Sequence, residues 1–458
     1  MRAEQSRAPS VKPRLFALSD GAWSVMDQGV VSLGMFLTTI ILARTLAQRD
    51  FGIYTILLSV MLLLNGTHSS LITYPLIVDG PSMDSTALLR RTRGLLVLTV
   101  LLVIPVGVAW LAVSTVFDSL GVSLWGLAAV LLWQVQETTR KGLMAEFRYR
   151  SALWGDALSY LGQSAVLWAL ASNQLLTLPR AFVVMCFTSA AAAVVQALQM
   201  GLVVRESYPL LRVARRCWQL GRWILLSNGL TAVSTQTFCW GLAAFHGLEA
   251  SASYQAAMSL LGVTHPVLFS LGNVIVPAVA YAQSTGGRRS AWTPARRYGL
   301  EGLALVLPYF VVLCFWPKGV LSLVYGEGSP YMQLTGTLRT LVLAYIFSFF
   351  TQTFGSYLGG LSETKSIFVM HFAGAVASLC PGLPLTARFG VIGACSGFLL
   401  LNLVRSIVCI PVARRLRCLR DSEEGRPDKT ATIGSVADAR TAWKGAAWRA
   451  AHDPRGID

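Results

Sequence analysis

The sequence has very few charged residues for its length. Asp, Glu, Lys and Arg make up 13% of the 458 residues, while 54% are hydrophobic. In a soluble globular domain, charged residues usually make up about a quarter of the residues. Mean hydropathy is +0.56. The chain therefore lacks the polar surface of a soluble domain, and we expect it to lie in lipid.

Motifs for metal binding, disulfide chemistry and catalysis are also missing. No two of the eight cysteines are close enough to form a CxxC pair, so neither a metal site nor a disulfide is predicted. The sequence lacks a P-loop, an HExxH motif, a GxSxG elbow and a DxD motif. We therefore expect no enzyme activity and no cofactor. A membrane-bound polysaccharide polymerase or ligase stays as a weaker alternative.

The basic residues are numerous but scattered. The formal net charge is +16, yet the Lys and Arg residues fall in short clusters between apolar runs instead of forming one basic stripe. Nucleic-acid binding would require such a stripe. Clusters between apolar runs are instead typical of the cytoplasmic connections of a membrane protein.

Apolar runs predict an all-α polytopic membrane protein of about twelve transmembrane helices, in two six-helix pseudo-repeats around a central cavity. The predicted spans are 19–44, 51–78, 94–117, 121–140, 152–171, 179–204, 220–245, 250–281, 298–316, 335–359, 366–386 and 390–413. Residues 1–18 then form an N-terminal segment, 19–204 the first half, 205–219 a linker, 220–413 the second half and 414–458 a tail. The polar composition of the tail predicts disorder.

The distribution of basic residues sets the orientation. Alternate connections contain twenty-five Lys and Arg residues, while the opposite connections contain five, which are Arg44, Arg49, Arg180, Lys318 and Arg388. By the positive-inside rule, the segments before the first span, after the twelfth and between the halves are cytoplasmic. We expect a multi-pass protein of the bacterial inner membrane with both termini in the cytoplasm.

A repeat with an offset of 200 residues relates the two halves. Tyr54 corresponds to Tyr254 and Ser59 to Ser259, and the pair Asp27-Gln28 in the first span corresponds to Ser227-Asn228 in the seventh. Both copies follow a span of the same orientation. The repeat therefore predicts a pseudo-two-fold axis along the membrane normal.

One connection resembles a known family. Residues 43–54 read ARTLAQRDFGIY, which is similar to the A-R-x-L-G-P-x-D-F-G-x-Y connection of polysaccharide flippases of the Wzx, or O-antigen-translocase, type. Ala47 and Gln48 replace the usual Gly-Pro. The segment 140–149 is similar to a second, R-A-x-x-R-F, pattern of these proteins. They belong to the multidrug/oligosaccharidyl-lipid/polysaccharide exporter superfamily.

The resemblance implies a transporter that flips an undecaprenyl-diphosphate-linked oligosaccharide from the cytoplasmic to the periplasmic leaflet by alternating access, for exopolysaccharide or O-antigen export. Its expected partners are the lipid-linked oligosaccharide, membrane lipids and the polysaccharide polymerase or export machinery, with no nucleic acid. The alternative within the superfamily is a multidrug antiporter that uses a proton or sodium gradient.

Charged or titratable side chains inside predicted spans are functional candidates, because lipid does not solvate them. They are Asp27, His68, Glu137, Asp156, His265, Glu301, Arg339, His371 and Arg405. Substrate-binding candidates are Asp27, Gln28, Arg44, Asn228, Arg339 and Arg405, since an arginine fork suits a diphosphate. Asp27 and Glu137 are the ion-coupling candidates. Helix-end anchoring is the alternative for Arg44, Arg339 and Arg405, and a local ion pair with Arg140 for Glu137.

Overall fold

Long helices account for almost all of the described structure. The computed structural model describes residues 18–80, 83–114, 120–202 and 209–424, and these ranges contain helices and turns but no strand. In hydrocarbon, backbone N–H and C=O groups must be paired within the protein, and a helix pairs them within one segment. The protein is an all-α, multi-pass membrane protein.

The first half contains six spans. They are Leu18–Thr45, Gln48–Asp79, Ser85–Ser114, Leu120–Ala145, the fifth made of Tyr149–Asp156, Ala157–Gly162 and Gln163–Ser172, and Leu178–Met200. Two of these spans contain a π-helical turn, at Ser69–Thr73 in the second and at Ala157–Gly162 in the fifth. Such turns rotate the side chains that follow them relative to a regular α-helix.

The second half contains six more. The seventh span is Leu210–His246 and the eighth begins at Leu248–Gly262. The helix His265–Phe315 holds the end of the eighth span and the ninth, which separate at Gly287 with φ +71°. A short helix, Pro317–Tyr325, and a 3-10 turn, Pro330–Leu334, precede the tenth span, Thr335–Gly360. The eleventh span begins with Thr364–Ala377 and a π-turn at Ser378–Gly382, and Gly390 separates it from the twelfth inside Leu383–Glu424.

Length and hydropathy alone identify seven candidate spans within the described ranges, one of which, Lys365–Arg415, contains both the eleventh and the twelfth. The fourth, fifth, seventh and eighth spans fall below that criterion. The fourth and fifth contain buried polar residues, among them Gln136, Glu137 and Asp156. A span with polar side chains can still cross a bilayer when those side chains face protein.

Equivalent hydrogen bonds support the sequence repeat. Ser164 Oγ donates to the Gly34 carbonyl at 3.1 Å in the first half, and Ser378 Oγ donates to the Ser234 carbonyl at 2.6 Å in the second. Gly34 and Ser234 differ by the same 200 residues as the sequence repeat. In each half, therefore, the first span packs on the fifth span of that half, and both of these fifth spans contain a π-turn.

The halves meet along the second span, which contacts the seventh and eighth. Trp240 Nε1 donates to Ser59 Oγ at 2.6 Å, and Gln48 Nε2 donates to Ser253 Oγ at 3.1 Å. Nearer the other end of the second span, Arg216 Nη2 lies 3.0 Å from Asp79 Oδ1. A rocking motion of the halves would have to break polar contacts at both ends of this interface.

Several predicted boundaries are wrong. The predicted linker 205–219 overlaps the helix that begins at Leu210, and the predicted tail overlaps the helix that continues to Glu424. The fourth span continues to Ala145 instead of ending at 140, so Arg140 and Lys141 lie in the helix and are not connection residues. The predicted N-terminal segment up to residue 17 and the tail from 425 onward lie outside the described residues.

The close contact of the halves at Gly52 provides a test of this interface. A Cβ at position 52 would overlap the carbonyl oxygen of Leu248, whereas a Cβ at Gly66 in the same helix would meet nothing within 4 Å. Gly52→Ala is expected to lower the free energy of unfolding by about 1–3 kcal/mol through overpacking. Gly66→Ala should leave it unchanged or raise it by up to about 1 kcal/mol. Thermal unfolding in detergent measures both, and equal effects would contradict the close contact.

Candidate functional site

A buried guanidinium joins three carboxylates inside the first half. Arg140 Nη2 lies 2.6 Å from Asp27 Oδ2, Arg140 Nη1 lies 3.0 Å from Glu137 Oε1, and Arg140 Nε lies 2.5 Å from Asp156 Oδ2. The side chains of Arg140, Asp27 and Asp156 are 6%, 1% and 0% exposed. This Arg140 cluster, defined by these four residues, connects the first, fourth and fifth spans.

Amide and hydroxyl groups extend the cluster to the sixth span. Gln196 Nε2 donates to Asp156 Oδ1 at 3.1 Å, and Thr139 Oγ1 donates to Gln196 Oε1 at 3.0 Å. Gln136 Nε2 also approaches Asp156 Oδ1, at 3.4 Å, and its Oε1 accepts from Ser159 Oγ at 2.8 Å. Asp156 is thus held by groups from the fourth and sixth spans.

Local sequence places these groups. Glu137 and Arg140 are three residues apart on one helix, the spacing of helix-surface ion pairs, so the predicted local ion pair is confirmed. A Cβ at Gly155 would overlap the Gln196 side chain, so this glycine lets the fifth and sixth spans approach. The π-turn Ala157–Gly162 begins directly after Asp156, and π-turns occur frequently at functional sites.

The charges of the Arg140 cluster do not balance. With every group ionised, three carboxylates face one guanidinium, and Lys141, the nearest further cation on the fourth span, directs its Nζ toward Met144 Sδ at 3.7 Å. Among the described residues, Asp27 Oδ1 is buried without a hydrogen-bond partner. Unpaired buried charge is costly. With every group ionised, the cluster therefore has an excess of buried negative charge.

A second polar cluster lies beside it. His68 Nε2 lies 3.1 Å from Thr99 Oγ1 and 3.0 Å from Thr138 Oγ1, with all three groups buried. These residues come from the second, third and fourth spans. These contacts make the histidine part of the packing between the three helices.

The second half contains a buried cation instead. Arg405 is 8% exposed, and its Nη2 donates to Ser234 Oγ at 3.2 Å. Gly374 provides the room, because a Cβ there would overlap Arg405 Nε. Over the described part of the chain, no carboxylate forms an ion pair with Arg405, and its Nε has no hydrogen-bond partner. The side chain is buried inside the half, so it is not an anchor at the membrane surface.

Hydroxyl and imidazole groups lie on the same helices as the contacts of Arg405. Ser378 Oγ donates to the Ser234 carbonyl, and Thr231 Oγ1 lies 3.4 Å from His371 Nδ1. The seventh, eleventh and twelfth spans thus supply a cation together with several hydrogen-bonding groups. This Arg405 cluster, defined by Arg405, Ser234, Thr231, His371 and Ser378, is uncharged apart from its arginine when His371 is neutral.

The remaining sequence candidates are dispersed. Asn228 Nδ2 donates to Ser70 Oγ at 3.0 Å and so joins the halves, while Gln28 is half-buried next to Asp27. Arg339 is exposed, and its Nε donates to the Cys314 carbonyl at 3.0 Å, in the last turn of the ninth span. Arg44 is exposed at the far end of the first span. Of the predicted residues, the structure brings together Asp27 and Glu137.

Sequence reasoning paired Arg140 with Glu137 alone and did not link it to Asp27 or Asp156. Arg140 was assigned to a cytoplasmic connection because the fourth span was predicted to end there. Asp156 was noticed as a charged residue within a span but was not included in the site. Asp27 and Glu137 indicate such a cluster in the sequence, because two carboxylates inside apolar helices require a cation nearby.

Comparisons with solved structures identify the fold. The lipid II flippase MurJ in an inward closed conformation matches with a TM-score of 0.68 at 10% identity, over 87% of this chain and 88% of that chain. An inward-facing multidrug resistance MATE family transporter of the MOP superfamily matches with a TM-score of 0.66 at 13% identity, over 87% and 99%. A MOP superfamily transporter from Pyrococcus furiosus gives 0.59 at 14% identity, over 87% and 95%.

No protein-family model matches the sequence, and no curated protein matches it. At 10–14% identity the structural matches show the fold alone. The chain has the fold of the MOP-superfamily transporters, with about twelve transmembrane helices.

The charge imbalance predicts which substitutions destabilise the first half. Arg140→Gln removes the one cation that, among the described residues, contacts all three carboxylates, and the free energy of unfolding should fall by about 3–5 kcal/mol. Adding Asp156→Asn to Arg140→Gln should recover part of that loss, because one fewer buried carboxylate is left uncompensated. Unfolding in detergent measures both variants. Arg90→Ala is the control, since Arg90 is exposed, and equal losses for Arg90→Ala and Arg140→Gln would contradict the role of the cluster.

Proposed function

We propose that the protein flips an undecaprenyl-diphosphate-linked oligosaccharide from the cytoplasmic to the periplasmic leaflet, by alternating access of its two halves, for polysaccharide export. The observation that carries the proposal is the buried Arg405, which has no carboxylate partner among the described residues. The transporter fold and the resemblance of residues 43–54 to polysaccharide flippases support the same function.

The Arg405 cluster suits a diphosphate. A guanidinium donates paired hydrogen bonds to phosphate oxygens and keeps its charge in an apolar environment. Arg405 uses one nitrogen on the Ser234 hydroxyl and leaves Nε without a partner. An anionic headgroup that reached this position would neutralise a charge that the described part of the protein leaves uncompensated. The polyprenyl chain would stay in lipid, because its transfer into a polar cavity is unfavourable.

The Arg140 cluster suits the coupling ion. Asp27 and Glu137 belong to it, and Asp27 Oδ1 has no hydrogen-bond partner there. Binding of a proton or a sodium ion would relieve the excess of negative charge, and its release would restore it. Since Arg140 ties the first, fourth and fifth spans together, a change in its partners would alter the packing of the half that rocks.

An ion-coupled multidrug antiporter is the second candidate. The specific observation in its favour is the same excess of carboxylates in the first half, because an anionic site attracts organic cations. The two candidates differ in which half contacts the cargo. A cationic drug would be held by the Arg140 cluster, and an anionic lipid by Arg405.

The setting of this activity follows from the basic connections. We place both termini in the cytoplasm and the protein in the bacterial inner membrane, where the polysaccharide polymerase and export machinery would receive the flipped substrate. The protein would act as a transporter and not as an enzyme.

Arg405→Ala tests the substrate site. Flipping of an undecaprenyl-diphosphate-linked oligosaccharide in proteoliposomes should fall about tenfold to a hundredfold, because charge-assisted hydrogen bonds contribute about 1.5–3 kcal/mol each. Arg405→Lys should retain part of the activity. Arg339→Ala is the matched control, since that arginine is exposed and contacts a helix-end carbonyl.

Two results would contradict the flippase proposal. One is a normal flipping rate for Arg405→Ala, in a preparation that a thermal unfolding measurement shows to be folded. The other is transport of a cationic dye that depends on Asp27, without any flipping of the lipid-linked sugar, which would favour the antiporter.

Asp27→Asn tests the coupling site. The amide keeps the shape of the side chain but cannot exchange a proton, so an imposed pH gradient should no longer accelerate transport in proteoliposomes, while transport without a gradient persists. Asp84→Asn is the isosteric control, because Asp84 is exposed in a connection. Full acceleration of the Asp27→Asn variant by the gradient would remove Asp27 from the coupling mechanism.

A further inference from the structure

An open cleft separates the first and fifth spans near one end of the protein. The connections at this end contain few Lys and Arg residues, and it is therefore called the weakly basic end. Its volume is about 730 Å³. One wall is a single face of the first span, formed by Leu37, Ile40, Ile41 and Arg44. Positions i, i+3, i+4 and i+7 of a helix lie on one side, so three apolar side chains lead along the cleft to one arginine.

The opposite wall is a matching face of the fifth span. Leu161, Ala165, Trp168 and Ser172 line it, and Trp168 is 65% exposed. The cleft is therefore apolar along its length and polar at the end where Arg44 and Ser172 lie. Tryptophan is enriched where a membrane protein meets the headgroup region.

Hydrogen bonds close the cleft at its inner end. Thr38 Oγ1 lies 3.2 Å from Ser164 Oγ and accepts from Gln163 Nε2 at 3.0 Å. The spans are joined at this level. Beyond this level, the cleft lies between them.

The second half provides an internal comparison. With the 200-residue offset, the positions of Ile41 and Arg44 correspond to Gly241 and Ala244 of the seventh span. A Cβ at Gly241 would lie 2.7 Å from Leu383 Cδ1, and His246 Nε2 lies 3.0 Å from the carbonyls of Thr386 and Ala387. The equivalent helices are thus packed together in the second half. The cleft in the first half is a departure from the repeat and not a property of the fold.

The length and charge of the cleft indicate what fills it. From Leu37 to Arg44 the first span rises about 10 Å, which is within the depth of one leaflet of a hydrocarbon core about 30 Å thick. Arg44 is exposed, and within the described ranges it makes no hydrogen bond or ion pair. A ligand matches both features if its apolar chain is about as long as one leaflet is deep and its negative group lies at the headgroup level.

We infer that this cleft binds an anionic glycerophospholipid of the leaflet at the weakly basic end, with an acyl chain between the first and fifth spans and the phosphate at Arg44. The lipid occupies the outer side of the first half, on spans that also carry Asp27 and Asp156. This inference rests on the membrane fold and on the cleft. It does not depend on the identity of the transported substrate.

The test uses the purified full-length protein in detergent. Phosphatidylglycerol, phosphatidylcholine with the same acyl chains, and the matching diacylglycerol are added separately, and bound lipid is counted by native mass spectrometry while the midpoint of thermal unfolding is recorded. Phosphatidylglycerol should be retained and should raise the midpoint more than the other two lipids. Arg44→Ala should weaken its apparent affinity about fivefold, the effect of one basic residue near a membrane surface, and Arg44→Lys should retain most of it.

A second variant tests the apolar part. Ala165→Trp fills the cleft from an exposed position, and one fewer molecule of phosphatidylglycerol should remain bound. The matched controls are Arg49→Ala, an exposed arginine at the same end outside the cleft, and Ala169→Trp, an exposed alanine one turn along the same helix. Both should behave as the unmodified protein. Midpoints without added lipid identify any variant that is simply less stable.

Three results would overturn the inference. Phosphatidylcholine could bind as tightly as phosphatidylglycerol, the control variants could lose as much affinity as Arg44→Ala and Ala165→Trp, or undecaprenyl diphosphate could bind in a cleft-dependent manner while phosphatidylglycerol does not. The last result would assign the cleft to the isoprenoid carrier instead of a structural lipid.

Discussion

The ion pairs of Arg140 are the interaction on which the first half depends. A charged side chain in a transmembrane helix has no water to solvate it, so its partners must come from neighbouring helices. Arg140 takes one carboxylate from its own span and one each from the first and fifth. The relative rotation of these three spans is therefore fixed by one guanidinium. The close approach at Gly155 and the hydrogen bonds of Gln196 follow from the same requirement. Arg140 contacts Asp156 Oδ2, so Asp156 Oδ1 needs a hydrogen-bond donor from another helix.

The two halves share a repeat but differ in charge. Equivalent hydrogen bonds at Gly34 and Ser234 show that the first and seventh spans contact the fifth and eleventh at corresponding positions. The first half buries an excess of carboxylates, while the second buries Arg405 among hydroxyl groups. This difference is the basis of the proposed division of roles, in which one half would exchange a cation and the other would hold an anion. Because two halves with the same fold can bury opposite charges, the fold alone does not identify the cargo.

Sequence reasoning predicted part of the candidate site. Asp27 and Glu137 were recognised because a carboxylate inside an apolar run is conspicuous. The contacts of Arg140 with Asp27 and Asp156 were not predicted, because an arginine near the end of an apolar run is ambiguous. The helix continues for five further residues, to Ala145, and Arg140 lies inside the protein. Arg339 and Arg405 look alike in sequence, since each lies near the end of a span. The structure separates them, because Arg405 contacts Ser234 from another span while Arg339 remains exposed beside a carbonyl at the end of the ninth.

The sequence by itself determined the helical class, the approximate number of spans and the division into two related halves. Hydropathy acts on each segment separately, and the 200-residue offset is visible without coordinates, so neither depends on how the helices pack. Only the tertiary structure decided which polar groups meet. Asp27 and Arg140 are 113 residues apart, and their contact depends on helix rotation, on a π-turn after Asp156 and on glycines that permit close approach. These are consequences of packing between helices, which a pattern along one helix does not contain.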